Sequence, residues 1–481
     1  MDDTIPLRRS VLHAVGWATA TRFLAQMANW AMTLATIRFL SPQDYGLMAV
    51  AMTIVSFIGQ IGSVGICDAV VQKQDVVDAD LPNIFGLVLV INSGCLLLLW
   101  LLAYPAAWFY GEARLAAVLL VASVLMVPTA FQALPNALLN KRLDLKAVSR
   151  VDAIARISGG ALVLGLAWAG GGVWSLIAGP IWVAVLRAVG FTRAAKYFQF
   201  PHFRFAALAE VIRIGGLRSI EQVLWNIYAN ADVFIIGKLL GTDLVGIYFV
   251  SRNLAALPVE KFAATVKPVI FPAFALVQDD RSQALYYLQK ATRLLSFVCF
   301  PILFGLAATS SQVVALVLGP KWSGTATPVA ILAMAMALRP IGLLIPPFLM
   351  GLGEFAASVR NTLFGAILFP IAIVIGSHWG IVGVCEAWLA AYPIQLLVLV
   401  RRAALVSHSS ISSLLTPIVP PLIGALLMYA IVRWAGGVLP GGLGTPADLL
   451  SLVAIGVFVY AGYTLAFLRP LAFELARLAR R

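Results

Sequence analysis

Apolar stretches of about twenty residues recur along nearly the whole chain, separated by short turns, and no other feature restricts its fold so severely. A helix rises about 1.5 Å per residue, so each stretch matches the roughly 30 Å hydrocarbon core of a bilayer. The sequence of 481 residues is 61% hydrophobic and only 11% charged, against about 25% charged in ordinary soluble domains. These features predict an all-α polytopic membrane protein with about fourteen transmembrane helices, the first near residues 13–39 and the last near 448–468. The opening MDDTIPLRRSVLHAVGWATATRFLAQ has the basic start of an export signal. Its apolar run is too long for one, contains Arg22 and leads into further spans, so it is expected to be the first span.

Lys and Arg alternate from connection to connection. One set of loops carries clusters such as Lys141, Arg142, Lys146 and Arg150, whereas the other has only Arg38, Arg114, Lys238, Lys321 and Arg433. Basic loops stay on the cytoplasmic side, so both termini are expected there. The net charge of +13 is spread over many loops rather than gathered into a stripe, which argues against nucleic acid. The longest cytoplasmic connection, about residues 191–216, includes FRFAALAEVIRIGG, a pattern suited to a helix lying along the interface.

Two turns share a punctuation. RFLSPQDYGLM (38–48) and GKLLGTDLVGIY (237–248) each end one apolar run and start the next. A shift of 200 residues brings Gly16 onto Gly216, Leu40 onto Leu240 and Gly46 onto Gly246 without a gap, and places Arg22 on Gln222, Gln26 on Asn226, Thr53 on Asn253 and Gln60 on Glu260. Polar residues inside a bilayer are costly, so their coincidence weighs more than apolar identities. Six spans separate the copies, which makes the repeat parallel: two six-helix bundles, 1–200 and 201–405, with two further helices and a basic tail in 406–481.

Within the spans, Arg22, Gln26, Asn29 and Thr33 form one helical stripe, as do Thr53, Ser56, Gln60 and Ser63. Glu221, Trp225, Tyr228 and Asp232 form another, beside Asn226. Arg252, Asn253 and Glu260 follow in the eighth span, and Arg339 sits in the tenth. A mid-bilayer charge costs about 2.5–3.5 kcal/mol even on lenient scales, so these residues face water, substrate or one another. A purely structural pairing of Arg22 with Glu221 or Asp232 would satisfy that demand for those residues. Several cations on different spans instead suit a cavity for an anionic solute, because a guanidinium matches phosphate or carboxylate oxygens.

Candidate substrate-binding residues are therefore Arg22, Gln26, Asn29, Gln60, Trp225, Asn226, Tyr228, Arg252, Asn253 and Arg339, with Glu221, Asp232 and Glu260 as candidates for ion coupling. The four cysteines, Cys67, Cys95, Cys299 and Cys385, read as small core residues, and the four histidines are scattered. No motif for nucleophilic, nucleotide or metal chemistry stands out, so neither an enzyme nor a cofactor is expected.

FLSPQDYGLMAVAMTIVSFIGQIGSVGICDAVVQKQD (39–75), VGIYFVSRNLAALPVEKFAATVKPVIFPAFALVQDD (245–280) and LGPKWSGTATPVAILAMAMALRPIGLLIPPFLMGLGE (318–354) resemble bacterial polysaccharide transporters. The likeness is greatest to exopolysaccharide and lipopolysaccharide biosynthesis exporters of the colanic acid exporter type. They belong to the superfamily that also holds multidrug extruders and lipid II flippases. The resemblance covers roughly residues 12–435 and implies a flippase that moves undecaprenyl-diphosphate-linked oligosaccharide units across the bacterial inner membrane by alternating access. It implies a basic lumen to which Arg22 and Arg252 would contribute. Implied partners are the lipid-linked oligosaccharide, membrane lipids, and a polysaccharide polymerase and chain-length proteins. A cation-coupled multidrug exporter and a membrane polysaccharide polymerase or ligase are the alternatives.

Overall fold

The computed structural model describes residues 31–62, 80–142, 144–205, 208–277, 280–438 and 445–469, and every regular element among them is helical. Contacts divide the chain into two units, Met1–Gly246 and Ile247–Arg481. Ten helices or helix pairs among the described residues are long and apolar enough to cross a membrane.

In the first unit, residues 31–39 form α1, followed by α2 (Pro42–Gly62), α3 (Leu81–Tyr110), α4 (Arg114–Ser123), α5 (Met126–Lys141), α6 (Leu145–Trp168), α7 (Val173–Ala195) and α8 (Ala209–Leu239). The α6–α7 hairpin is closely packed, α5 lies against α7, and α2 runs against α8, α4 and α3. One core cluster gathers Ile84, Phe85 and Val88 of α3, Leu134 and Leu138 of α5, and Phe191 of α7. Residues 209–216, part of the stretch expected to be a helix along the interface, are helical and begin the 31-residue α8. The same apolar spacing serves either placement.

Helix α9 (Thr242–Ala275) starts in the first unit and carries the chain into the second. There follow α10 (Arg281–Ala308), α11 (Ala326–Ala337), α12 (Arg339–Gly351), α13 (Phe355–Ser377), α14 (Gly380–Val406), α15 (Val419–Val438) and α16 (Pro446–Phe467). Their packing echoes the first unit: α13 and α14 form a tight hairpin, and α11 and α12 lie against α14. Helices α15 and α16 pair with each other, and both touch α10. The ninth span, expected at 292–318, begins earlier, at Arg281. It gives way after Ala308 to a short helix, a π turn at Val314–Leu318 and a 3-10 turn at Pro320–Thr325. Trp322 of that last turn is fully buried, and its carbonyl accepts the Thr325 hydroxyl at 2.6 Å.

The repeat is visible in the element boundaries. Pro42 and Thr242 open α2 and α9, Leu81 and Arg281 open α3 and α10, and Met126 and Ala326 open α5 and α11, each pair at the same offset. The offset then changes, with Leu145 corresponding to Phe355 and Val173 to Gly380.

The first punctuating turn is built by a reciprocal cap. The Asp44 amide donates to Ser41 Oγ at 3.2 Å, and Asp44 Oδ2 accepts the Ser41 amide at 3.1 Å and its hydroxyl at 2.7 Å. This satisfies donors that a helix start leaves open, and Pro42 lacks an amide hydrogen to satisfy. The first turns of α2 and α9 then cross at their glycines. A Cβ on Gly46 would lie 1.8 Å from the Thr242 carbonyl oxygen, and one on Gly246 would lie 1.8 Å from that of Pro42. Positions 42 and 46 meet 246 and 242 reciprocally, the mark of a local two-fold relation between the two copies of the turn. Small residues let membrane helices approach this closely.

Candidate functional site

The polar residues singled out in the sequence fall into separate groups in the two units. In the first, α2 presents Ser56 towards α8. Asn226, 5% exposed, donates from Nδ2 to Ser56 Oγ at 2.8 Å, and its Oδ1 accepts Asn230 Nδ2 at 2.7 Å. A hydroxyl and two amides thus form a chain across the helix contact. Gln60, one turn farther along α2, has its Oε1 buried without a hydrogen-bond partner among the described residues. Asp232 is 2% exposed, and its Oδ1 accepts the Val233 amide at 2.8 Å. Trp225, Tyr228 and Glu221 lie on α8 with side chains outside the described set, and Arg22, Gln26 and Asn29 precede the described residues.

The second group is cationic. Arg252 on α9 is half-buried, while Asn253 and Glu260 on the same helix are exposed. Arg339 is also half-buried and opens α12, where the helix axis restarts between Leu338 and Pro340. Its Nη1 lies 3.6 Å from Met336 Sδ. Both guanidinium groups lie close enough to Tyr392 of α14 to act on its hydroxyl electrostatically. Tyr392 is itself buried and packs against Trp388 and Phe369. Two cations from separate helices therefore lie within electrostatic reach of one buried phenol in a chain otherwise poor in charge. Their forked donors suit paired oxygens of a diphosphate or carboxylate.

An apolar groove of about 790 Å³ lies apart from these cations in the second unit. Phe297 and Pro301 of α10, Met428 of α15, and Val457 and Tyr460 of α16 line it. The Tyr460 hydroxyl donates to the Phe297 carbonyl at 3.0 Å and the Thr309 hydroxyl to the Gly305 carbonyl at 2.9 Å, which leaves the lining mostly apolar apart from Thr464.

Sequence reasoning missed Tyr392 and Asn230 as neighbours of the candidate residues. Asn230 follows Asn226 by one turn, a signal that was available. Tyr392 sits in an apolar run before Pro393, and no local pattern marks it.

A family model described as polysaccharide biosynthesis protein matches residues 35–327, more than half of the chain. The chain belongs to the polysaccharide biosynthesis protein family. Among relatives of this polysaccharide biosynthesis protein is the succinoglycan biosynthesis transport protein ExoT of Rhizobium meliloti, 26% identical over 487 residues, covering 98% of this chain and 96% of the relative. The lipopolysaccharide biosynthesis protein WzxC of Escherichia coli is 24% identical over 387 residues, covering 80% and 78%. In fold, the family member is similar to the lipid II flippase MurJ in an inward closed conformation, with a TM-score of 0.75 at 15% identity over 95% of this chain and 99% of that one. It also resembles an inward-facing multidrug resistance MATE family transporter, with a TM-score of 0.58 at 15% identity over 81% and 99%. The helical transporter fold expected from the sequence is the fold observed.

Proposed function

We propose that this polysaccharide biosynthesis protein is a flippase that moves undecaprenyl-diphosphate-linked oligosaccharide units from the cytoplasmic to the outer leaflet of the bacterial inner membrane. The observation that carries this reading is that Arg252 and Arg339, half-buried on separate helices of an oily chain, both lie within electrostatic reach of Tyr392. Such a locus favours a diphosphate head, and the apolar groove along α10, α15 and α16 offers its polyprenyl tail a place away from water. The transport and flippase names of the relatives point the same way.

In this reading fourteen spans form two six-helix bundles, 1–200 and 201–405, with 406–481 outside the repeat and both termini cytoplasmic. Alternating access runs between the bundles. Arg22, Arg252 and Arg339 hold the diphosphate or acidic sugars. Gln26, Asn29, Gln60, Asn226 and Asn253 hydrogen-bond the glycan, Trp225 and Tyr228 stack on sugar rings, and Glu221, Asp232 and Glu260 couple transport to an ion. Polymerase and chain-length proteins are the partners that would receive the product. No chemical step is assigned to the chain.

The test is translocation of a fluorescent polyprenyl-diphosphate oligosaccharide by the full chain in proteoliposomes, scored by quenching from outside. Transport of the glycan without transport of a cationic dye supports the proposal. Dye transport with no movement of any lipid-linked glycan would establish the multidrug-exporter alternative instead.

A further inference from the structure

Residues 196–205, which leave α7, form a strap tied to neighbouring helices by hydrogen bonds. Lys196 ends α7 in a left-handed conformation, φ 51°, and Arg142 Nη1 donates to the Ala195 carbonyl at 3.0 Å. The strap then crosses the start of α3. The His202 amide donates to the Pro82 carbonyl at 2.9 Å, and the Arg204 amide donates to Asn83 Oδ1 at 3.3 Å. A Cβ at Gly86 would lie 2.0 Å from the His202 carbonyl oxygen, so the two backbones are in direct contact. Tyr197 and Phe205 turn inward onto the core cluster of α3, α5 and α7. Phe198, Phe200 and Phe203 point the other way, 80%, 79% and 60% exposed.

Beside the strap is a groove of about 290 Å³, walled by Phe131 and Pro135 of α5, Val189 of α7, and Tyr197 and Phe198, with Arg193 at its edge. That volume is at the bottom of the roughly 300–1,000 Å³ range of compact-ligand pockets, which suits a narrow chain better than a set of rings. Phe131 and Val189 are 43% and 42% exposed, so the groove opens sideways on the face that spans present to lipid. Tyr197 brings to this wall a buried hydroxyl with no partner among the described residues. Arg193, Lys196 and Arg204 are exposed at the same end. Among the described residues none of the three has an ion-pair partner, whereas nearby Arg187 is held by Asp152 at 2.8 Å.

Exposed aromatics interleaved with cations at the end of a span define the level of phospholipid headgroups, and basic clusters there attract anionic ones. We propose that this strap and groove form a binding site for an anionic phospholipid of the surrounding leaflet. One acyl chain lies against Phe131, Pro135 and Val189. The phosphate sits among Arg193, Lys196 and Arg204, and the three exposed phenylalanines enter the interface beside it. The site is separate from the transport residues and does not rest on the flippase reading.

The test is retention of phosphatidylglycerol against phosphatidylcholine by the purified full chain in detergent, read by native mass spectrometry. Wild type is expected to retain phosphatidylglycerol preferentially. Arg193→Gln, Lys196→Gln and Arg204→Gln should each lower that retention about fivefold, as expected for a basic residue at an anionic surface. Val189→Trp, which fills the groove from an exposed position, should lower it with all three cations in place. Arg193→Lys should keep it, which guards against a loss caused by misfolding, and Arg433→Gln, in the second unit, should leave it unchanged. Equal retention of the two lipids by wild type, or unaltered retention in the triple glutamine variant, overturns the proposal. So does one-for-one displacement of phosphatidylglycerol by a polyprenyl diphosphate, which would assign the groove to the transport substrate.

Discussion

Replacing Gly46 with Ala should be among the most damaging single-methyl additions to this protein. The new Cβ would lie 1.8 Å from the Thr242 carbonyl oxygen and 2.7 Å from its carbon. Ordinary carbon-to-carbonyl-oxygen contacts in packed helices fall at about 3.3–3.6 Å, so α2 and α9 would have to separate by roughly 1.5 Å at their crossing. Both sides of the clash are backbone, and no rotamer change relieves it. Overpacking typically costs about 1–3 kcal/mol, and this geometry belongs at the upper end, about 3 kcal/mol. Separation would also loosen Tyr45, Leu47 and Val245, all buried around the crossing. Gly246→Ala should cost a similar amount, its Cβ meeting the Pro42 carbonyl at the same distance. The double variant should cost about 4 rather than about 6 kcal/mol, because helices parted by the first methyl already admit the second. Unfolding in mixed micelles by SDS titration, followed by circular dichroism, measures all three. Gly94→Ala is the control, since nothing lies within 4 Å of its added Cβ. A Gly46→Ala protein as stable as wild type, or strictly additive losses in the double variant, would refute the crossing.

Asn226→Leu removes the bonds to Ser56 and Asn230 and should destabilise the same transition by about 1–2 kcal/mol, with a coupling to Ser56→Ala of about 0.6 kcal/mol in a double-mutant cycle. Asp280 caps α10 by accepting the Ser282 hydroxyl at 2.6 Å and the Ser282 and Gln283 amides at 3.0 Å, bonds that hold its carboxyl below its ordinary 3.8. A depressed folded value means stabilisation present above the unfolded value and lost as pH falls through the folded one. Asp280→Asn should therefore lower the melting midpoint at pH 7 and lose that effect as pH falls through the lowered folded value, read in parallel thermal scans of the two proteins.

Much of this was legible in the sequence because the bilayer leaves few choices: apolar runs must be helices, and polar residues within them must find company. The turns at Ser41–Gly46 and Gly241–Gly246 could be recognised as one device used twice, since serine, proline, aspartate and glycine act there through local backbone geometry. That their glycines pack against each other was not legible, because the contact joins residues two hundred positions apart. The three described cysteines, Cys95, Cys299 and Cys385, are buried, as small core residues should be, and Cys67 lies outside the described residues. That α8 runs without a break from Ala209 to Leu239 was not legible, because FRFAALAEVIRIGG has the same apolar spacing whether a helix stops after it or continues. Tyr392 was missed because a tyrosine in an apolar run carries no local sign of the arginines that other helices bring to it.

The central claim is that Arg252 and Arg339 hold the diphosphate of a lipid-linked glycan. The measurement that tests it most directly is the translocation rate in proteoliposomes of a polyprenyl-diphosphate oligosaccharide by wild type, Arg252→Gln and Arg339→Gln, with reconstitution and helical content matched. Charged hydrogen bonds contribute about 1.5–3 kcal/mol, so each substitution should slow transport about tenfold or more at limiting substrate. Wild-type rates in both variants would contradict the claim.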